Sequence, residues 1–422
     1  MKLKSRLFSL SINLDSLIAA ACGFIIIQIF SNHSGVGVSP DSVTYISAAR
    51  HLLQGNGFRA FDGLPVVDFP AGYPFFITII SFCTRIDVLQ FGAILNGMLF
   101  GSLIYLSGSI MNGFYHTSAW YKRFMLACIV FSPALLEVYS MLWSETLFLL
   151  LLMLFTIAMK QYLERLEMKW LIISAVLVSL ACVTRYAAIV LIGIGLFLIF
   201  FEGKPAWGKR IRYCIYFGII SILLLAVNLV RNEMVMHFAT GERQKSTSSL
   251  LKNMEYFGGV LSDWLLIQRK PALSITLTGL VLLIFLVSML WCYFRRKTRR
   301  RYEYIAAATG FFYCLFMLTS ATLSRYEQFT SRLLSPMFIP MIWCAGFWLP
   351  SYVSQKKPAF RLLFTFAALG AVSVFLVLQL SADFETYDGV KDAGIPGYFE
   401  DPFPQSEVVQ FLKAYKREFR PG

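Results

Sequence analysis

Charge is what this sequence has least of. Only 15% of its 422 residues are charged, against 57% hydrophobic, and that balance excludes an ordinary soluble globular domain. Long uncharged runs result, and they are those of a polytopic helical membrane protein. Histidine is scarce: the four present are scattered and have no ligand spacing,. The eight cysteines form no CxxC pair and lie in or beside apolar runs. They read as packing residues, not as a disulfide framework or a metal site. The residues indicate no cofactor and leave a divalent-metal requirement open. No internal repeat is evident, which counts against an inverted-repeat transporter. Span interiors hold few strongly polar groups, chiefly Asn96 and Asn228, whereas an ion-coupled transporter places ionisable residues near the midplane.

The charge that is present is mostly positive, with a net value of +14. It sits in short loops between apolar runs, so it marks membrane topology and not a nucleic-acid partner. Runs near the twenty-residue requirement give about eleven spans. They cover 14–30, 88–111, 124–138, 142–159, 170–183, 187–201, 213–230, 273–294, 304–320, 333–349 and 362–380, with a half-inserted piece at 75–83. With that count, every basic loop falls on one side, from Lys2, Lys4 and Arg6 through Lys122 and Arg123 to Lys356, Lys357 and Arg361. The positive-inside rule makes that side the cytoplasm. The first segment, basic before its apolar run and without a small-residue cleavage site, reads as a retained helix. The predicted fold is therefore an all-α polytopic membrane protein of the cell (inner or plasma) membrane, surrounded by membrane lipids. It has a transmembrane domain over 1–380, outer loops at 31–86 and 231–271, and a short outer tail at 381–422.

The stretch from Ser39 to Pro74 organises the rest. Ser39 suits an N-cap, Pro40 the first helical position, and Asp41 the first turn, where the helix dipole favours an anion. Tyr45, Ala48, Ala49 and Leu52 give one apolar stripe,, and Gly55 and Gly57 supply the stop. Such a helix lies along the bilayer surface with Asp41 at its edge. An ordinary capped surface helix carries the same signature.

Other polar residues gather at the same depth. Asp68 shares the first outer loop, and Glu145 opens the fourth span. Arg185 lies at the turn between the fifth and sixth spans, and Arg231 closes the seventh. Arg325, Glu327 and Arg332 precede the tenth. Helix ends tolerate single charges that can snorkel; several on one face, beside a long loop, point to a site. Carboxylates and guanidinium groups at an outer interface suit sugar transfer from a polyprenyl-phosphate donor. One carboxylate takes the acceptor's proton, and arginines stabilise the departing phosphate.

PDSVTYISAARHLLQGNGF followed by DFPAGYP resembles the first outer loop of the glycosyltransferase C superfamily, in the branch of protein O-mannosyltransferases and lipid A aminoarabinose transferases. The resemblance continues in FSPALLEVYSMLWSETLFLLLLMLF, ACVTRYAAIVLI and SRLLSPMFIPMI, over roughly the first 350 residues,. It implies a multi-span fold with an outer active site, a polyprenyl-phosphate sugar donor and Asp41 as catalytic base. It further implies substrate-binding positions at Tyr45, Asp68, Glu145, Arg185 and Arg332. Two departures point to a lipid or glycan acceptor and away from a protein: Ser42 stands where the mannosyltransferases have a second acid, and the C-terminal outer domain is reduced to a tail. The rival class is a lipid-linked glycan flippase or other transporter, which predicts repeats and a charged central cavity.

Overall fold

The computed structural model describes residues 13–114, 119–201, 205–241, 245–295, 301–324, 328–354 and 358–398, apart from the side chains of 349–359 and 361. Among the described residues, fifteen α-helices, one 3-10 turn and three isolated backbone bridges make up the regular structure. The loop residues Arg325 and Glu327, the basic residues Lys2, Lys4, Arg6, Lys356 and Lys357, and the tail beyond Tyr398 lie outside the described residues.

The first helix, α1 (Leu14–Phe30), leads into α2 (Pro40–Leu53), the helix expected at the bilayer surface. Next come α3 (Gly72–Thr84) and α4 (Val88–Met111). Thirteen residues make α3 too short to cross a bilayer, since they rise only about 20 Å. Asp87 caps α4 and forms an ion pair with Arg50 of α2 at 2.9 Å, which ties the surface helix to the bundle.

Two short helices, α5 (Ala119–Val130) and α6 (Pro133–Ser140), meet at a bend of 47°, the geometry of a broken span or a re-entrant loop. Pro133 supplies the break, because it has no amide proton to continue the first helix. Beyond them run α7 (Glu145–Arg165), α8 (Met168–Thr184), a 3-10 turn over Tyr186–Ala188, α9 (Ile189–Phe200) and α10 (Trp207–Met236). The long loop carries its own helix, α11 (Leu250–Trp264), before α12 (Pro271–Phe294), α13 (Tyr302–Leu323), α14 (Ser331–Ser354) and α15 (Pro358–Ala393).

Length and apolarity qualify six of these helices to cross a membrane, or seven with the bent pair. Four more apolar segments, including α1 and α8, have only 10–17 residues. Seventeen residues rise about 26 Å, short of a hydrocarbon core of about 30 Å. Length and apolarity alone therefore do not establish the expected eleven spans. The apolar surface divides by depth in the bundle. The apolar stretch of α7 is 72% buried among other helices, while those of α10 and α15 are 22% and 11% buried. Exposed Ile215, Ile219, Leu223 and Val227 along α10 form a continuous apolar face, as a helix facing lipid does.

The chain returns to its first loop at the end. α15 continues past residue 380, where the tail was expected to begin, and Gly394–Tyr398 then turns back onto residues 34–38. Tyr398 donates its amide to the Val38 carbonyl at 2.9 Å, and Ile395 donates to the Ser34 hydroxyl at 3.2 Å. Gly397 has φ +142°, and a Cβ there would meet the Val38 carbonyl oxygen at 2.5 Å. The approach to α2 is thus fixed from both ends of the chain.

Candidate active site

The start of α2 is rigid for local reasons. The Ser39 hydroxyl accepts from the Ser42 amide and the Ser42 hydroxyl accepts from the Ser39 amide, a reciprocal capping box,. Ser42 is fully buried in this role. The position at which the resembled family has a second acid is therefore a structural cap here, which leaves Asp41 as the single carboxylate of the helix start.

A second rigid piece lies opposite. Between α6 and α7 the chain makes a short corner over 141–144, extended at Met141 and turning at Ser144, which leaves the last carbonyls of α6 beyond its helical ladder. Asn96, fully buried inside α4, donates its side-chain amide to the carbonyls of Tyr139 and Met141 at 2.9 and 2.8 Å. Gly37 donates to Ser140 and accepts from Leu142, at 2.8 and 3.0 Å. A Cβ on Gly37 would meet the Met141 sulfur at 2.2 Å and the Ile395 side chain at 2.5 Å, so any larger residue would force those side chains to shift. The corner sets out Trp143, Ser144 and Glu145 in a row.

Two arginines arrive from elsewhere. Arg185 follows the last residue of α8 in extended conformation (φ −155°). Gly72 packs against the end of α8: a Cβ there would lie 2.5 Å from the Val183 carbonyl oxygen. Arg332 sits in the first turn of α14.

These pieces bring four charges together. The Glu145 carboxylate forms ion pairs with both Arg185 and Arg332, and Arg332 extends to Asp41. The contacts are divided within the Arg332 fork: Nε donates to Glu145 and Nη2 donates to Asp41. The Arg332 guanidinium carbon lies 4.5 Å from the centre of the Trp143 ring, in the geometry of a cation–π contact,. Trp143 in turn donates its indole N–H to Ser39 at 2.7 Å.

Two carboxylates balance two guanidinium groups, so the buried ions are paired. They differ in access. The Glu145 side chain is 0% exposed, Arg185 and Arg332 are 12% and 13%, and Asp41 is 26%. Asp41 is the member of the cluster most open to a reactant.

Tyr45 borders the cluster. Its hydroxyl lies 3.4 Å from that of Ser144, and its ring meets those of Phe69 and Tyr73 edge-on. Burial first, and then the negative charges of Glu145 and Asp41, push its phenol up from the ordinary value. At neutral pH it is a neutral hydrogen-bonding group.

Two residues singled out with these stand apart. Asp68 is exposed and lies against Gly241 of the long loop; among the described residues no ion pair or hydrogen bond joins it to the cluster. Arg231 clasps the first loop instead. It donates to the carbonyls of Val66 and Phe58 and lies over the Phe58 ring at 5.1 Å. Asn228 accepts from the Ala71 amide at 3.2 Å, and Tyr186, next to Arg185, donates to the Val67 carbonyl at 3.3 Å. Asn96 and Asn228, the polar residues singled out inside spans, thus bind backbone at the edges of this site. Among the described residues, no three His, Cys, Asp or Glu side chains gather as metal ligands.

No family model matches the sequence, and no curated protein matches it either. Solved structures do match in fold. ArnT from Cupriavidus metallidurans bound to undecaprenyl phosphate is 14% identical, with a TM-score of 0.56 over 96% of this chain and 75% of that one. ArnT in the apo state gives 13% identity and a TM-score of 0.54, over 96% and 74%. The archaeal oligosaccharyltransferase AglB from Archaeoglobus fulgidus, in complex with an inhibitory peptide and a dolichol-phosphate, gives 12% and 0.52, over 96% and 58%. The chain shares the polytopic helical fold of these structures, and at these identities the likeness is one of fold.

Proposed function

We propose that this chain is an integral-membrane glycosyltransferase that moves a sugar from a polyprenyl-phosphate donor to a hydroxyl of an extracytoplasmic lipid or glycan acceptor. The observation that carries the reading is the paired cluster of Asp41, Arg332, Glu145 and Arg185, with Asp41 its most open member. The fold supports it, since two of the solved structures that share the fold were determined with a polyprenyl phosphate bound.

In this reading the acceptor oxygen attacks the sugar's anomeric carbon. The bond from that carbon to the phosphate oxygen breaks, and its electron pair leaves with the polyprenyl phosphate. The acceptor proton passes to Asp41. Arg332 and Arg185 hold the charge that develops on the phosphate. Glu145, buried and bonded by both arginines, orients them, and Tyr45 offers a neutral hydrogen bond at the rim. Asp68 stays in the first outer loop, apart from the cluster. The basic loops support an N-terminus in the cytoplasm and a site outside the plasma membrane.

Mass spectrometry of envelope lipids and glycans, from cells with and without the protein, tests the reading. One sugar-modified species should disappear with the protein and return with the wild-type chain but not with Asp41→Asn. An unchanged set of species would contradict it. Orientation is checked with a cysteine at Asp62 and another at Lys209 in a cysteine-free background. An impermeant thiol reagent should reach the first from outside and not the second.

A further inference from the structure

The expected base is not free. Asp41 is held by Nη2 of Arg332, while Nε of the same guanidinium is held by Glu145. A carboxylate oxygen that accepts from a guanidinium is occupied, and must give up a charge-assisted contact before that oxygen can take a proton.

The two ends of the fork are not equivalent. Glu145 is fully buried and also bonded to Arg185 and to the Ser144 hydroxyl at 3.1 Å. It has nowhere to go, and it anchors Nε. Asp41 is the open partner at 26% exposure. The face of the guanidinium rests on Trp143, which leaves the Nη edge as the part able to exchange partners. A phosphate is an anion that matches the geometry of that edge, and it would compete there with the Asp41 carboxylate for Nη2.

We propose that Arg332 is a donor-operated gate on Asp41. Anchored to Glu145 through Nε, it holds the Asp41 carboxylate through Nη2 until the phosphate of a polyprenyl-phosphate donor takes that contact and frees the base. This rests on the donor reading above and adds an order to it. The base becomes available only once the donor is seated, so no proton is taken from an acceptor beforehand. Arg332 is thereby a positioning residue for Asp41 as well as a phosphate ligand.

A gate has a signature that phosphate binding alone lacks: removing Asp41 should strengthen donor binding. The probe is undecaprenyl phosphate, titrated into the purified full chain in detergent at low salt. Asp41→Asn should bind it about tenfold more tightly than wild type, a factor worth about 1.4 kcal/mol. Asp41→Ala should do the same, which covers a folding failure of either variant. In an Arg332→Gln background the Asp41→Asn gain should vanish, because no guanidinium is left to compete for.

Each result decides something. A gain that persists without Arg332 would mean simple charge repulsion by Asp41 and would overturn the gate. Equal affinity of wild type and both Asp41 variants, with binding still weakened by Arg185→Ala, would overturn the gate and leave the donor reading standing. No saturable binding by wild type would overturn both.

Discussion

Trp143 donates its indole N–H to the Ser39 hydroxyl across 2.7 Å, joining residues 104 positions apart. Its ring also lies beneath the Arg332 guanidinium. One side chain thus sets the distance between the N-terminus of α2, which carries Asp41, and the arginine that pairs with it.

The two roles of Trp143 can be separated. Trp143→Phe keeps a ring for Arg332 and loses the bond to Ser39. Trp143→Leu keeps much of the volume and loses both. The cation–π contact is worth roughly 0.5–2 kcal/mol, so Trp143→Leu should lower kcat by about tenfold, and Trp143→Phe by only a few-fold. Transfer rates measured beside thermal unfolding check this. Equal rates for the two variants would show that the ring face contributes nothing.

Asn96 is a stability residue. Asn96→Ala removes the side-chain donor to the Tyr139 carbonyl and leaves the Met141 carbonyl only the Trp143 amide, at a cost of about 1–3 kcal/mol. The unfolding temperature in detergent should fall, and the fraction that stays folded should transfer sugar more slowly, because the corner carrying Glu145 is no longer held. An unchanged unfolding temperature would show that the corner is fixed without it.

Arg185→Ala should weaken donor binding and also destabilise, since it removes one of the two cations from a fully buried carboxylate. Breaking such a pair costs about 3–5 kcal/mol. Adding Glu145→Gln should recover stability without recovering donor affinity. Arg185→Lys should rescue only part of the affinity, a point charge replacing a fork. Full recovery of affinity in the double variant would make Arg185 purely structural.

The start of α2 was legible in the sequence because it is local: Ser39, Pro40 and Asp41 specify a helix N-terminus within one turn. The long apolar helices were legible too, from their length and lack of charge. The pairing was not. Arg332 meets Glu145 and Asp41 across 187 and 291 residues, and no pattern in the chain encodes such distances. In sequence, Arg231 and Asp68 look the same as Arg185 and Glu145, charges at the ends of apolar runs. The structure separates them, because Arg231 finds backbone carbonyls and Asp68 faces outward. Trp143 and Ser144 were overlooked, since a tryptophan inside an apolar run reads as core. The signal available was their position between a short helix and Glu145, at a corner where side chains are fixed by backbone bonds. Span counting was least secure where helices are bent or short, as in α5, α6 and α8.

The central claim is that Asp41 takes the acceptor's proton. Asp41→Asn keeps the size of the side chain and suits a helix start, so the variant should fold and insert normally. Loss of a general base typically costs about 10²–10⁴ in rate. The direct measurement is the rate of sugar transfer by purified wild type and Asp41→Asn at saturating polyprenyl-phosphate sugar, with an envelope acceptor identified by the mass-spectrometric comparison. The account predicts transfer at least about a hundredfold slower in the variant, with the donor still bound. Near-normal transfer by Asp41→Asn would contradict it and leave the Asp41–Arg332 pair a structural clasp.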